Sequence, residues 1–229
     1  VLLILKMKTY DFAYGRGRKE FSIDESLVIK EVRTEEFTPM SDIKQGVLDA
    51  IYNPIGCEPI DKIIKPGDTV AFICNDPTRV ANSYDFMPVL VNEFNKLGVK
   101  DEDMHIVFSL GTHRDMTHEE MVEAVGEEVS SRLKMYNSTA TKDEDFEYFG
   151  TTSRGTPVWI NKHLCHVDHV ILTGTIVHHY FSGYGGGRKA ILPGCAAMET
   201  VRVNHSFMLD KNAGLGRTAV SYTHLRAHE

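Results

Sequence analysis

The stretch TVAFICNDPTR at residues 69–79 decides the fold. Its first six residues are apolar on both faces, which suits a central strand of a parallel sheet covered on each side. Pro66-Gly67-Asp68 introduces the strand, and an amphipathic pattern over 82–97, closed by Gly98, predicts a helix after it. The order then repeats. A second apolar run at 104–110 leads into Gly111-Thr112-His113-Arg114, and Thr117 with Glu120 forms a capping box for a helix to about Leu133. HVILTG at 169–174 reads as a third buried strand. Strand, loop and helix in alternation predict an α/β domain with a largely parallel open sheet and helices on both faces, Rossmann-like in architecture.

Around this frame the chain is plainer. Residues 8–14 and 19–23 flank Gly-Arg-Gly-Arg and predict a β-hairpin, a small edge element. Ser41 can cap a helix to about Tyr52. The polar, acidic region 136–154 holds a short strand at 146–149, another strand follows at 157–160, and a short helix at 161–167. A helix at 195–208 carries His205. There are no internal repeats.

The chain has 229 residues, 42% hydrophobic and 25% charged, with a net charge of -7. No basic face is evident to neutralise phosphates, which argues against a nucleic-acid partner. Cys57, Cys74, Cys165 and Cys195 are widely spaced and form no Cys-x-x-Cys pair, so a reducing, cytoplasmic setting is expected. The apolar start at residues 1–5 is too short for a signal peptide or a membrane span. Met7 reads as the natural start, with 1–6 a non-native leader. The tail RTAVSYTHLRAHE at 217–229 has no apolar period and reads as non-native too, so His224 and His228 carry no functional weight.

In an open α/β sheet, ligands bind beyond the carboxyl ends of the strands. Asp76, Arg79, His113, His178 and His179 all fall there. The last two open HHYFSGYGGGRKAILPGCAAMETVRVNH at 178–205. In it Gly183, Gly185, Gly186 and Gly187 allow close approach of a ligand to the backbone, Lys189 follows, and His205 closes the stretch. GYGGGRKA is not a dinucleotide fingerprint, since Arg188 stands where the last glycine belongs. Nor is it a Walker A loop, since Ala190 replaces the hydroxyl residue. His113, His179 and His205 suit metal ligation or proton transfer. His105, His118, His163, His166 and His169 lack that placement and read as structural. Asp76 and Arg79 read either as a helix-entry cap with its ion pair or as a fork for an anion.

The blocks NDPTR at 75–79, SLGTHRDMT at 109–117, HHYFSGYGGGRKAILPG at 178–194 and VNHS at 203–206 together resemble the nickel-dependent lactate racemase family, in the family's order. The resemblance implies an N-terminal domain over residues 7–216 of a two-domain enzyme, its C-terminal domain absent from this sequence. It implies that Lys189 tethers a pyridinium-3-thioamide-5-thiocarboxylate mononucleotide, the nickel-pincer nucleotide, made by dedicated biosynthesis enzymes. Gly185, Gly186 and Gly187 would cradle that cofactor, and His205 would ligate nickel. His113 and His179 would be the acid-base pair, and Asp76 and Arg79 would lie against the substrate. The implied reaction is racemisation or epimerisation of a 2-hydroxy acid by hydride transfer to the tethered cofactor. A histidine-bound zinc hydrolase and a non-catalytic nucleotide-binding domain remain alternatives.

Overall fold

The computed structural model describes residues 6–33, 38–79 and 81–217. Two compact units divide at residue 40. In the first, β1 (Met7–Tyr14) and β2 (Gly17–Asp24) pair antiparallel as a hairpin of their own. Its register puts Tyr10 opposite Phe21 and Asp11 opposite Glu20, so an aromatic face alternates with a polar one. The hairpin is therefore not an edge of the main sheet: β1 and β2 hydrogen-bond only to each other among the described strands.

The second unit begins with α1 (Ile43–Tyr52), capped by Asp42 rather than Ser41, since the Asp42 carboxylate accepts from the Gln45 amide. A single turn, α2 (Ile60–Ile63), leads to β3 (Val70–Asn75), and α3 (Ser83–Lys96) follows. Next come β4 (Met104–Gly111) and α4 (His118–Val125), which has both reciprocal bonds of the Thr117–Glu120 capping box. The expected helix to Leu133 stops short, because Gly126 sits at φ 84 and the chain restarts as α5 (Glu127–Ser130). β5 (Lys134–Thr139) then joins the sheet as a strand that hydrophobic pattern does not reveal. β6 (Phe146–Thr151) and β7 (Pro157–Asn161) pair with each other. The expected helix at 161–167 is one 3₁₀ turn, Lys162–Leu164.

β8 (His169–Leu172) completes a four-stranded, all-parallel sheet of order β5-β4-β3-β8. Standing at an edge, β8 is half-buried rather than buried. The short β9 (His178–His179) and β10 (Gly183–Tyr184) pair across a tight turn, and α6 (Met198–Ser206) closes the described chain's regular structure, shorter than the expected 195–208.

The period-2 alternation of each strand sends its residues to two cores. Val70, Phe72 and Cys74 with Ile106 and Phe108 meet Met87, Val91 and Phe94 of α3. Phe94 packs edge-on to Phe72 at 5.2 Å. Ala71, Ile73 and Val107 face the other way, onto Leu164, Ala190 and Cys195. Helix covers the first face; 3₁₀ turns and the irregular segment before α6 cover the second. That thinner cover brings the glycine stretch against the strand ends. The leader at 1–5 and the tail at 218–229, with His224 and His228, lie outside the described residues.

Candidate functional site

Asp76 directly follows β3 and is 3% exposed, and a carboxylate so buried needs its lone pairs filled. Four bonds fill them. Oδ1 accepts from the amide and the hydroxyl of Thr78, and Oδ2 accepts from Arg79 Nη1 at 3.0 Å and His113 Nδ1 at 2.8 Å. His113 stands two residues past β4, its amide held by the Leu110 carbonyl. Because a carboxylate only accepts, His113 Nδ1 carries a proton, and in the neutral ring Nε2 keeps the lone pair.

His179 reaches the same place from β9. Its Nδ1 accepts from the Ser182 amide at 3.2 Å, so in the neutral ring the proton sits on Nε2, the reverse of His113. The ring stacks on Tyr180 and meets Phe181 edge-on. Burial, then the neighbouring Lys189, His205 and Arg79, push the His179 pKa down to about 4.

Gly186 sits at φ 75, and a Cβ there would stand 2.7 Å from the Thr175 carbonyl oxygen, so the loop closes against 175–176 only without a side chain. The turn Gly187–Ala190 follows and carries Lys189, whose ammonium is pushed down to about 8 by burial and by Arg79. A lysine lowered in this way holds more free amine near neutral pH than an exposed one, which favours nucleophilic chemistry.

The chain then doubles back. Gly194 donates to the Lys189 carbonyl and Gly111 donates to Gly194, which lays the segment across the end of β4 and starts α6 beside the strand ends. His205, in the last turn of α6, donates Nδ1–H to the Val201 carbonyl at 2.7 Å, leaving Nε2 with its lone pair as a metal ligand would need.

These side chains line one cleft of about 780 Å³: Asp76, Arg79, His113, His179, Lys189 and His205, with Gly185 and Gly186 in its wall. Gly187 and His178 are not among the lining residues. Sequence reasoning passed over Arg202, which lines the cleft one turn before His205. Among the described residues no group of three or more His, Cys, Asp or Glu side chains is placed to hold a metal ion. A catalytic zinc takes three protein ligands, and the described residues offer the hydrolase alternative no such set. A metal at His205 would draw its other donors from a bound ligand, which fits a cofactor that brings its own. No helix among the described residues is long and apolar enough to cross a membrane.

A family model described as the lactate racemase N-terminal domain matches residues 14–216. The lactate racemase of Lactiplantibacillus plantarum is 31% identical over 163 residues, covering 71% of this chain and 38% of that protein. That of Thermoanaerobacterium thermosaccharolyticum is 27% identical over 208 residues, covering 90% of this chain and 49% of that protein. The chain thus spans less than half the length of these two curated relatives. The structure of the T. thermosaccharolyticum lactate racemase apoprotein superposes with a TM-score of 0.80 at 26% identity, over 96% of this chain and 52% of that one. A Thermotoga maritima protein, at 23% identity and TM-score 0.61, shares the fold over 77% of this chain and 44% of its own. With a family model matched over most of its length, the chain belongs to the lactate racemase family, as a copy of that family's N-terminal domain.

Proposed function

We propose that this domain serves a racemase or epimerase of 2-hydroxy acids, with lactate the default substrate, working by hydride transfer to a nickel-pincer nucleotide held on Lys189. The observation that carries the reading is the pair of histidines in opposite tautomers, His113 and His179, lining one cleft with a nucleophilic lysine. When bound, the nucleotide and its nickel supply a reversible acceptor for the hydride on the substrate Cα.

The chain's own residues do the rest. Arg79 spends one Nη on Asp76 and keeps its remaining donors for the substrate carboxylate, which holds the acid while its reacting carbon turns over. His113, oriented by Asp76, would take the hydroxyl proton at Nε2, and with the Cα hydride given up to that acceptor the substrate would be left as a planar 2-keto acid. His179 is the proton partner on the other side, and two proton carriers are what inversion without net redox requires. Attachment at Lys189 would remove one of the charges that depress His179 and bring it nearer to neutrality, where it can both give and take a proton. In this scheme Asp76 positions His113 rather than touching substrate, and His205 Nε2 ligates nickel.

Because the chain spans less than half of its curated relatives, the activity is proposed for a longer protein in which a second domain closes over the cleft. Its partners would be the cofactor-biosynthesis enzymes, in the cytoplasm. The test is the covalent state of Lys189. Produced at full length with those enzymes, the protein should carry a nucleotide adduct on Lys189 by peptide mass spectrometry, and Lys189→Ala should lose both adduct and racemisation. His205→Ala should keep the adduct and lose nickel. An unmodified Lys189 in a preparation that still racemises a 2-hydroxy acid overturns the mechanism; an unmodified Lys189 with no activity favours the non-catalytic nucleotide-binding domain.

A further inference from the structure

The chain as a whole is acidic, net -7, yet its cleft is not. The charged residues lining it are Arg79, Lys189 and Arg202 against Asp76 alone, three cations to one carboxylate. Asp76 is already engaged, with Arg79 and His113 on one oxygen and Thr78 on the other. A cleft with that balance is complementary to a ligand carrying more than one negative charge. The scheme above uses Arg79 for a carboxylate and Lys189 for a covalent bond. Arg202 is left over. Its guanidinium makes no hydrogen bond, ion pair or ring contact among the described residues, although it lines the cleft.

We infer that Arg202 is the anchor for a phosphate monoester, the phosphate of a pyridine mononucleotide bound in the cleft. Arg202 and His205 stand three positions apart on α6, a spacing that puts their Cβ atoms about 5–6 Å apart on one side of the helix. A ligand that reaches His205 therefore comes within reach of the Arg202 guanidinium, whose planar fork takes two phosphate oxygens at once. Arg79 stands beside His113 at the strand ends and is already assigned to the substrate carboxylate, which leaves Arg202 for the phosphate. The inference rests on the mononucleotide reading above, but its test needs neither nickel, the adduct nor turnover.

The 229-residue chain is titrated calorimetrically with nicotinamide mononucleotide and with nicotinamide riboside, which lacks only the phosphate. The wild type should prefer the mononucleotide by about 10- to 100-fold, the range for hydrogen bonds to a charged group. Arg202→Ala should abolish that preference with the riboside affinity unchanged, and Arg202→Lys should restore part of it as a point charge. Arg188→Ala removes an exposed arginine that does not line the cleft and should change nothing. A preference that survives in Arg202→Ala overturns the inference, as does a wild type that fails to bind the mononucleotide at millimolar concentration or treats both ligands alike. If Arg202→Ala instead weakens lactate binding and keeps the phosphate preference, Arg202 serves the carboxylate and the inference is wrong. Failure here with a modified Lys189 would leave the racemase reading standing; success here with an unmodified Lys189 would do the opposite.

Discussion

Replacing Asp76 by Asn tests the site at its most constrained point. The amide oxygen can keep the Thr78 bonds, but an NH₂ then faces Arg79 Nη1 and His113 Nδ1, two donors in the wild type. His113 can answer by moving its proton from Nδ1 to Nε2 and accepting; Arg79 cannot. The Arg79 side chain is 56% exposed, so its lost ion pair is worth about 0.5 kcal/mol. The charge-assisted bond between His113 and the buried carboxylate is worth about 1.5–3 kcal/mol, of which the flipped tautomer recovers part. The sum is about 1–3 kcal/mol, or a Tm lower by about 2–12 °C in a domain of this size. On the proposed mechanism the functional loss is greater, because a protonated Nε2 cannot act as a base, and turnover of the loaded full-length protein should fall about 10²- to 10⁴-fold. The assay that isolates the cause is nitrogen-15 NMR of the His113 ring in the unloaded chain. Wild type should show protonated Nδ1 and bare Nε2, and Asp76→Asn the reverse. A wild-type His113 with bare Nδ1, or an Asn variant that keeps bare Nε2, would refute the reasoning.

Three further outcomes follow from the same geometry. His179 has a folded pKa of about 4 against an ordinary 6.5, so folding favours its neutral form; that stability is full above pH 6.5 and is lost as pH falls through 4, on the order of 1–3 kcal/mol in urea melts, and His179→Phe should flatten the slope. At pH 8 Lys189, near its own pKa, should be acylated by an amine-reactive ester about 10- to 100-fold faster than the exposed Lys134, and equal labelling by peptide mass spectrometry would contradict its burial beside Arg79. Gly186→Ala forces a Cβ against the Thr175 carbonyl at positive φ, which should cost about 1–3 kcal/mol in thermal melts and return Lys189 to ordinary reactivity as the turn shifts.

What could be read from the sequence was whatever rests on continuous apolar runs. β3 and β4 are apolar on both faces because both faces are covered, and their carboxyl ends fix where Asp76, Arg79 and His113 go. β5, Lys-Met-Tyr-Asn-Ser-Thr, sits at the other edge of the sheet with its first residues half exposed, so its polarity hides it. The helix after Thr117 is expected to reach Leu133 because good helix sequence stands on both sides of Gly126, His-Glu-Glu-Met-Val-Glu-Ala-Val before it and Glu-Glu-Val-Ser after; only the backbone angle there shows the break. The convergence of His205 with Lys189 depends on a doubling back near Pro193 that no periodicity encodes. Arg202, three residues after Glu199, has the spacing of an ordinary surface pair, and only its position in the cleft wall distinguishes it.

The pairing of β8 with β3 has a consequence for when the cleft exists at all. Asp76, Arg79 and His113 hang from β3 and β4, whereas His179 and Lys189 hang from β8, an edge strand held by four paired positions, Val70–His169 to Ile73–Leu172. At its foot Asp168 accepts from both the amide and the hydroxyl of Thr69, and His169 bonds Asp68, closing a loop of about a hundred residues. A single local opening that lifts β8 therefore parts the two histidines while leaving the core of α3 against β3 and β4 intact. Amide hydrogen exchange at His169 and Thr173, which donate to the Thr69 and Ile73 carbonyls of the β3 side, should then report the opening that parts the two histidines.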